Sequence, residues 1–145
     1  MIKVVISSQP RLLCILRAVV VSRSQATGIA GADADHLALA VDEAAANVIR
    51  HTYCGRHEGL MALEIRRLPD RLEFILQDWG PKVQEELIRP RPLNDLRPGG
   101  LGTFFIFNIM DAVSYDHDLE QGNRLRMVKF LPGKGGHEGL CTESG

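Results

Sequence analysis

The sequence predicts an α+β fold, a two-layer sandwich in which helices cover one face of a mixed, mainly antiparallel sheet. Apolar residues recur at helical spacing in the first third of the 145-residue chain and alternate with polar residues in the middle. The segments follow the order β-α-α-β-β-loop-α-β-β, which favours helices gathered on one face of a sheet. The length suits one compact domain rather than two.

The first predicted elements are a strand and two helices. Residues Ile2 to Ile6 are apolar and rich in β-branched side chains, which is typical of an edge strand. Helical spacing then predicts a helix from Pro10 to Ala26, with the proline at its start. After a glycine break, Asp33 can cap a second helix, which we expect to end near Arg50 or His51.

The middle of the chain changes to the period of strands. Apolar residues alternate over 61–65 and again over 72–76, and Pro69-Asp70 between them is typical of a turn. Four prolines and mixed charges then occupy 81–98 without sustained periodicity, which predicts a long loop. Loops of more than about 12–15 residues are uncommon in small domains and often functional.

The last third returns to regular structure. A helix is predicted from Thr103 to about Met110, a strand over 112–115, and a final strand that ends near Phe130. From Pro132 onward glycine and polar residues dominate, so we expect the domain to comprise residues 1–131 and a disordered tail to comprise 132–145.

Composition disfavours several classes of function. The formal net charge is −1, without the basic excess typical of nucleic-acid binders, although Arg89, Arg91 and Arg97 form a thin cluster. No apolar run approaches the roughly 18 residues of a membrane-spanning helix. Three widely spaced cysteines fit neither a disulfide framework nor a zinc site, so we expect reduced thiols in a cytoplasmic protein.

Glu43 and Asn47 form the first candidate constellation. They lie four residues apart on the second predicted helix and therefore project from the same face, among alanines. Mg²⁺ prefers hard oxygen ligands, so the Asn47 carbonyl could bind it and Glu43 could accept a proton from an attacking hydroxyl. An exposed polar pair on an ordinary amphipathic helix explains the same pattern.

The second constellation is Asp78 with Gly80, at the end of a predicted strand. A carboxylate there can accept a hydrogen bond from an exocyclic amine such as that of adenine, and a glycine lets the backbone approach a flat ring. Asp and Gly are also favoured in plain turns, so this pattern alone has a structural explanation.

The third constellation is a glycine-rich turn that leads into a helix. Its residues are Gly99, Gly100, Leu101, Gly102 and Thr103. Free backbone amides at a helix N-terminus favour a phosphate, and Thr103 adds a hydroxyl donor. The string is not a Walker A loop, because no Lys-Ser or Lys-Thr follows at the required spacing. A flexible hinge is the alternative.

Taken together, the three constellations resemble the N, G1 and G2 boxes of the GHKL superfamily. Within it, the chain is similar to the anti-sigma-factor serine kinases. The similarity is carried by Asp-Glu-Ala-Ala-Ala-Asn-Val-Ile-Arg-His over 42–51, Pro-Gly-Gly-Leu-Gly over 98–102, Ile-Met-Asp-Ala-Val-Ser-Tyr over 109–115 and Gly-Asn-Arg-Leu-Arg-Met-Val-Lys over 122–129. It implies the GHKL (Bergerat) ATP-binding fold, with 81–98 as the ATP lid.

The resemblance also implies roles for individual residues. Glu43 would be the catalytic base, Asn47 the Mg²⁺ ligand and Asp78 the carboxylate that recognises adenine. Gly80 and the glycine-rich turn would shape the ATP pocket. Asn123 matches a position where the superfamily often has a threonine near adenine.

The implied activity is phosphorylation of a serine on a STAS-domain anti-anti-sigma protein, by a homodimer that also sequesters a sigma factor. Where the family has a second glycine in its first G box, this chain has Pro81-Lys82. That departure supports an alternative, a nucleotide-responsive binding module without kinase activity. A fragment of a larger ATPase or histidine kinase is a weaker third possibility.

Overall fold

The computed structural model describes residues 1–82, 100–116 and 118–133, and of residues 100–104 it describes the backbone alone. Most of the predicted lid, Gly99 and most of the predicted tail lie outside these ranges. In chain order the elements are β1 (Ile2–Ser7), a 3-10 helix (Pro10–Leu12), α1 (Leu13–Ala26), α2 (Gly31–Asn47), a π-helix (Val48–Thr52), β2 (Leu60–Arg67), β3 (Arg71–Asp78), α3 (Gly100–Ile109), β4 (Ala112–Tyr115) and β5 (Asn123–Phe130).

The five strands form one sheet in the order β1-β2-β3-β5-β4, and each neighbouring pair is antiparallel. A row of apolar side chains crosses the sheet on the face that packs against the helices: Ile2, Ile65, Phe74, Met127 and Val113. The alternation in the sequence therefore follows the pleat, and the predicted α+β class is confirmed.

Helices α1 and α2 pack on each other and on this face of the sheet. Leu16 of α1 and Leu37 of α2 are fully buried, and each burial stabilises the fold by about 2 kcal/mol. Alanines at 40, 44 and 45 are also buried, which keeps the C-terminal half of α2 close to the sheet.

Three helix boundaries differ from the prediction. The helix from Pro10 begins with a 3-10 turn. Asp33 lies in the first turn of α2 and not at its N-cap, which is Ala30, although a carboxylate there still interacts favourably with the helix dipole. Helix α3 begins at Gly100 and not at Thr103. The first amides of a helix need no intrahelical partner, so glycines can form its first turn.

Across the described ranges, no helix combines the length and the apolar character that crossing a membrane requires.

Candidate functional site

A cavity lies between the C-terminal end of α2 and the adjacent ends of three strands. Its enclosed part is small, about 10 Å³, which is space for about one water molecule, and the remainder opens to solvent. Its lining residues are Ala44, Asn47, Val48, His51, Thr52, Leu76, Asp78, Tyr115, Asn123 and Leu125. Three residues predicted from separate parts of the sequence, Asn47, Asp78 and Asn123, therefore line the same cavity.

Asp78 forms the polar floor of this cavity. It is the last residue of β3 and only 1% exposed. Its Oδ1 accepts hydrogen bonds from Asn123 Nδ2 and from the Gly80 amide, both at 3.0 Å, and its Oδ2 accepts one from Thr52 Oγ1 at 3.3 Å. Burial raises the pKa of Asp78 above its ordinary value, and these hydrogen bonds oppose the shift.

Thr52 reaches Asp78 because the helix changes type before it ends. After Asn47 the backbone continues as a π-helix, in which the Tyr53 amide donates to the Val48 carbonyl five residues earlier. Such turns occur frequently at functional sites. No pattern in the sequence indicates Thr52, because the apolar pattern of α2 continues to Ile49 without a break.

Gly80 is required by packing. A Cβ atom at this position would lie 2.3 Å from Thr52 Cγ2 and 3.1 Å from Tyr53 Cε1. The Tyr53 hydroxyl donates to the Leu60 carbonyl at 2.6 Å and accepts from the Trp79 amide at 3.1 Å. The backbone hydrogen bond from Trp79 to Tyr53 therefore holds the Asp-Trp-Gly segment against the end of the π-helix, and the absence of a side chain at Gly80 allows this close approach.

The turn before Asn123 also depends on a glycine. Gly122 has a φ of +80°, and a Cβ atom there would lie 2.3 Å from the Asp78 carbonyl oxygen. Asn123 opens β5 opposite Asp78 and donates a second hydrogen bond from Nδ2 to the Pro81 carbonyl at 2.9 Å. Asn123 therefore links the cavity to the start of the predicted lid.

Glu43 and Asn47 lie one turn apart on α2, above the cavity. Asn47 is 7% exposed, whereas the Glu43 side chain is 34% exposed. The guanidinium of Arg50 donates to Asn47 Oδ1 at 2.5 Å and lies 3.8 Å from Glu43 Oε2. Asn47 Oδ1 and Glu43 Oε2 therefore both face the positive charge of Arg50. Amide and carboxylate oxygens of this kind also fit a cation such as Mg²⁺. Sequence reasoning missed Arg50.

Among the described residues, no group of three or more His, Cys, Asp and Glu side chains could hold a metal ion. A metal bound at Asn47 would therefore take further oxygens from a ligand or from water.

Gly100, Leu101, Gly102 and Thr103 form the first turn of α3, which packs against α2.

Residues 6–129 match the model of a protein family described as the histidine kinase-like ATPase domain. The chain belongs to this family. The expected GHKL-type fold is confirmed. This histidine kinase-like ATPase domain also resembles the histidine kinase domain from Erythrobacter litoralis EL346 blue-light activated histidine kinase. The TM-score is 0.59 at 15% identity, over 91% of this chain and 65% of that one, so the likeness concerns the fold alone.

Curated relatives of this histidine kinase-like ATPase domain include two bacterial serine-protein kinases. It is 36% identical over 107 residues to RsbW of Halalkalibacterium halodurans, which covers 68% of this chain and 64% of that protein. It is 28% identical over 141 residues to RsbW of Bacillus velezensis, which covers 92% and 87%. The chain thus spans slightly under two thirds of the first relative.

A third relative is the anti-sigma F factor of Clostridium botulinum, at 32% identity over 96 residues, 62% of this chain and 66% of that protein. The predicted kinship with the anti-sigma-factor serine kinases is confirmed by these matches.

Proposed function

We propose that this chain is an ATP-dependent serine/threonine protein kinase that acts as an anti-sigma regulatory factor. The observation that carries the proposal is the convergence of Asn47, Asp78 and Asn123 on one cavity, with Glu43 on the same helix as Asn47. The kinship with serine-protein kinases and with an anti-sigma factor supports the same function.

ATP is proposed to bind with its adenine against Asp78, in the cavity, whose lining must widen because its enclosed part has space for about one water molecule. The Asp78 carboxylate is a strong hydrogen-bond acceptor at the floor of the cavity, so it can accept a hydrogen bond from the exocyclic amine of adenine. The amides in the first turn of α3 can bind phosphate oxygens. Asn47 would hold Mg²⁺, which neutralises charge on the phosphates when bound.

Glu43 is proposed as the base. Its side chain is partly exposed, so a serine hydroxyl of a partner can reach it. As the serine oxygen bonds to the γ-phosphorus, the bond from that phosphorus to the bridging oxygen breaks, ADP leaves, and Glu43 accepts the hydroxyl proton. The products are phosphoserine and ADP.

The proposed partners follow from the kinship. We propose that the phosphoacceptor is a STAS-domain anti-anti-sigma protein, that the second partner is a sigma factor, and that the kinase acts in the cytoplasm as a homodimer. The two partners would compete for the kinase, so phosphorylation of the first would keep the sigma factor sequestered.

A nucleotide-responsive binding module without catalysis is the second candidate. The specific observation in its favour is the hydrogen bond from Asn123 to the carbonyl of Pro81, the residue before Lys82, and Lys82 stands where the family has its second glycine. Pro81 fixes its own φ and Asn123 holds its carbonyl. Both restrict the start of the predicted lid, which would allow nucleotide binding while impeding phosphoryl transfer.

The decisive experiment incubates the protein with γ-labelled ATP, Mg²⁺ and the STAS protein encoded nearest to its gene. Kinase activity predicts labelled phosphoserine with the wild type and a loss of at least about 100-fold in Glu43→Gln. Asp42→Asn is the matched control, because Asp42 pairs with Arg17. ATP binding measured by calorimetry without label transfer would instead favour the binding module. Absence of ATP binding would contradict both.

A further inference from the structure

Arg50 lies at the only place in the described site where a positive side chain contacts the proposed base and the proposed metal ligand together. It belongs to the π-helix that follows α2, and its side chain extends back along α2. The same nitrogen, Nη2, is 2.5 Å from Asn47 Oδ1 and 3.8 Å from Glu43 Oε2.

A divalent cation needs the same atoms. Mg²⁺ favours carboxylate and amide oxygens, which are the atoms that the positively charged guanidinium contacts. Two cations that share one amide oxygen would stand within a few ångströms and repel each other strongly. Binding of Arg50 and binding of a metal ion at Asn47 therefore exclude each other.

We propose that, in the free protein, the Arg50 guanidinium occupies the position that Mg²⁺ takes in the loaded site. In the free protein it holds Asn47 and Glu43. When the nucleotide brings Mg²⁺, Arg50 releases both oxygens and turns its guanidinium to the phosphates. Glu43 thereby becomes available as a base only in the loaded site, and the free protein binds divalent metal poorly. This inference rests on the proposed function.

The contact is suited to reversible release. The Arg50 side chain is 46% exposed and that of Glu43 is 34% exposed, so water screens their ion pair and the pair is weak. A guanidinium released from Asn47 lies beside any bound polyphosphate, with which it can form paired hydrogen bonds. The exchange therefore replaces one set of charged contacts by another.

The chain provides a matched control in Arg17. Its side chain is 45% exposed and it pairs with Asp42, the residue before Glu43. Arg17→Ala therefore removes one half-exposed arginine and one ion pair to α2, as Arg50→Ala does, but leaves Asn47 and Glu43 untouched. Arg50→Gln is a second test variant that keeps a polar side chain.

The first experiment uses Mn²⁺ alone, without nucleotide. Titration of isotope-labelled protein is followed through paramagnetic broadening of the Asn47 side-chain amide. We expect Arg50→Ala and Arg50→Gln to reach half-broadening at a Mn²⁺ concentration at least about fivefold lower than the wild type and Arg17→Ala, because a repelling charge is gone. Equal concentrations in all four proteins would overturn the proposal.

The second experiment measures ATP affinity by calorimetry in EDTA and in Mg²⁺. The dissociation constant in EDTA divided by that in Mg²⁺ is expected to rise at least about fivefold in Arg50→Ala. The lost contact with the phosphates weakens ATP binding in both conditions, whereas Mg²⁺ alone gains from the loss of its competitor for Asn47. An unchanged ratio with normal ATP binding would overturn the role of Arg50 while the nucleotide site stands. No ATP binding in any variant would contradict the proposed function, and the Mn²⁺ titration would still decide on Arg50.

Discussion

The side-chain amide of Asn123 donates a hydrogen bond to the Asp78 carboxylate at 3.0 Å, between the first residue of β5 and the last residue of β3. The two residues are 45 positions apart in sequence but paired in register. Asn123 is itself buried, so the bond joins two polar groups inside the fold. Their pairing makes the end of the central strands both the floor of the cavity and the attachment of the predicted lid.

Asp78→Asn is expected to separate binding from stability. The amide can keep the bonds from the Asn123 side chain and the Gly80 amide on its oxygen and donate to Thr52, so most of the network is retained. Its nitrogen would face the adenine amine as a second donor, so ATP affinity should fall at least about tenfold. Calorimetry measures this loss, and affinity equal to wild type would contradict the adenine role.

The same variant tests the raised pKa of Asp78. Because the folded-state pKa lies above the ordinary value of 3.8, the native protein binds more protons in that window, and stability falls as pH rises through it. Asp78→Asn cannot titrate and lacks this loss. The free energy of unfolding of the variant minus that of the wild type should therefore be higher at pH 7 than at pH 3. Denaturant unfolding at both pH values gives the comparison.

Gly80→Ala should destabilise the protein by collision with Thr52. The new methyl group would lie 2.3 Å from Thr52 Cγ2, so the π-helix or the Asp-Trp-Gly segment must shift, at a cost of about 1–3 kcal/mol. Thr52→Ser removes that methyl group and keeps the hydroxyl that donates to Asp78. The double variant should recover part of the melting temperature and of ATP binding, whereas additive losses would contradict the contact.

Gly122→Ala and Gly55→Ala form a pair that isolates one contact. Both glycines have nearly the same φ, +80° and +81°, so both variants carry the same backbone strain. Only at Gly122 would the new Cβ meet the Asp78 carbonyl, at 2.3 Å, whereas Gly55 has nothing within 4 Å. Thermal unfolding should therefore show a larger loss for Gly122→Ala by about 1 kcal/mol or more, and equal losses would exclude the contact.

Glu73 forms ion pairs on the face of the sheet opposite the helices. It is 5% exposed and pairs with Arg126 and Arg71, which lowers its pKa below the ordinary value of 4.5. Its contribution to stability is therefore present above that value and lost as pH falls through the folded-state pKa.

Glu73→Gln should lower the free energy of unfolding by about 1 kcal/mol at pH 7 and by less at pH 3. The control is Glu64→Gln on the neighbouring strand, whose carboxylate pairs with Arg66. Denaturant unfolding at both pH values compares the variants. A deficit in Glu73→Gln that does not change with pH would contradict the ion pairs.

Strand positions were predictable because apolar side chains concentrate on the face of the sheet that packs against the helices. The alternation at Met61, Leu63 and Ile65 follows from the pleat, and each of these residues is buried against the helices. The end of α2 was less predictable. Its apolar pattern continues through Ile49, so the change to a π-helix at Val48 left no mark in the spacing of the residues.

The sequence by itself determined the order of the elements, the faces that they bury and the residue types of the candidate site. Those features follow from local periodicity, and from glycines and carboxylates that can be recognised one position at a time. Only the tertiary structure decided that Thr52 contacts Asp78, that Asn123 lies opposite it, and that Arg50 holds Asn47. Register and side-chain direction bring these atoms within bonding distance, and neither can be read from linear spacing.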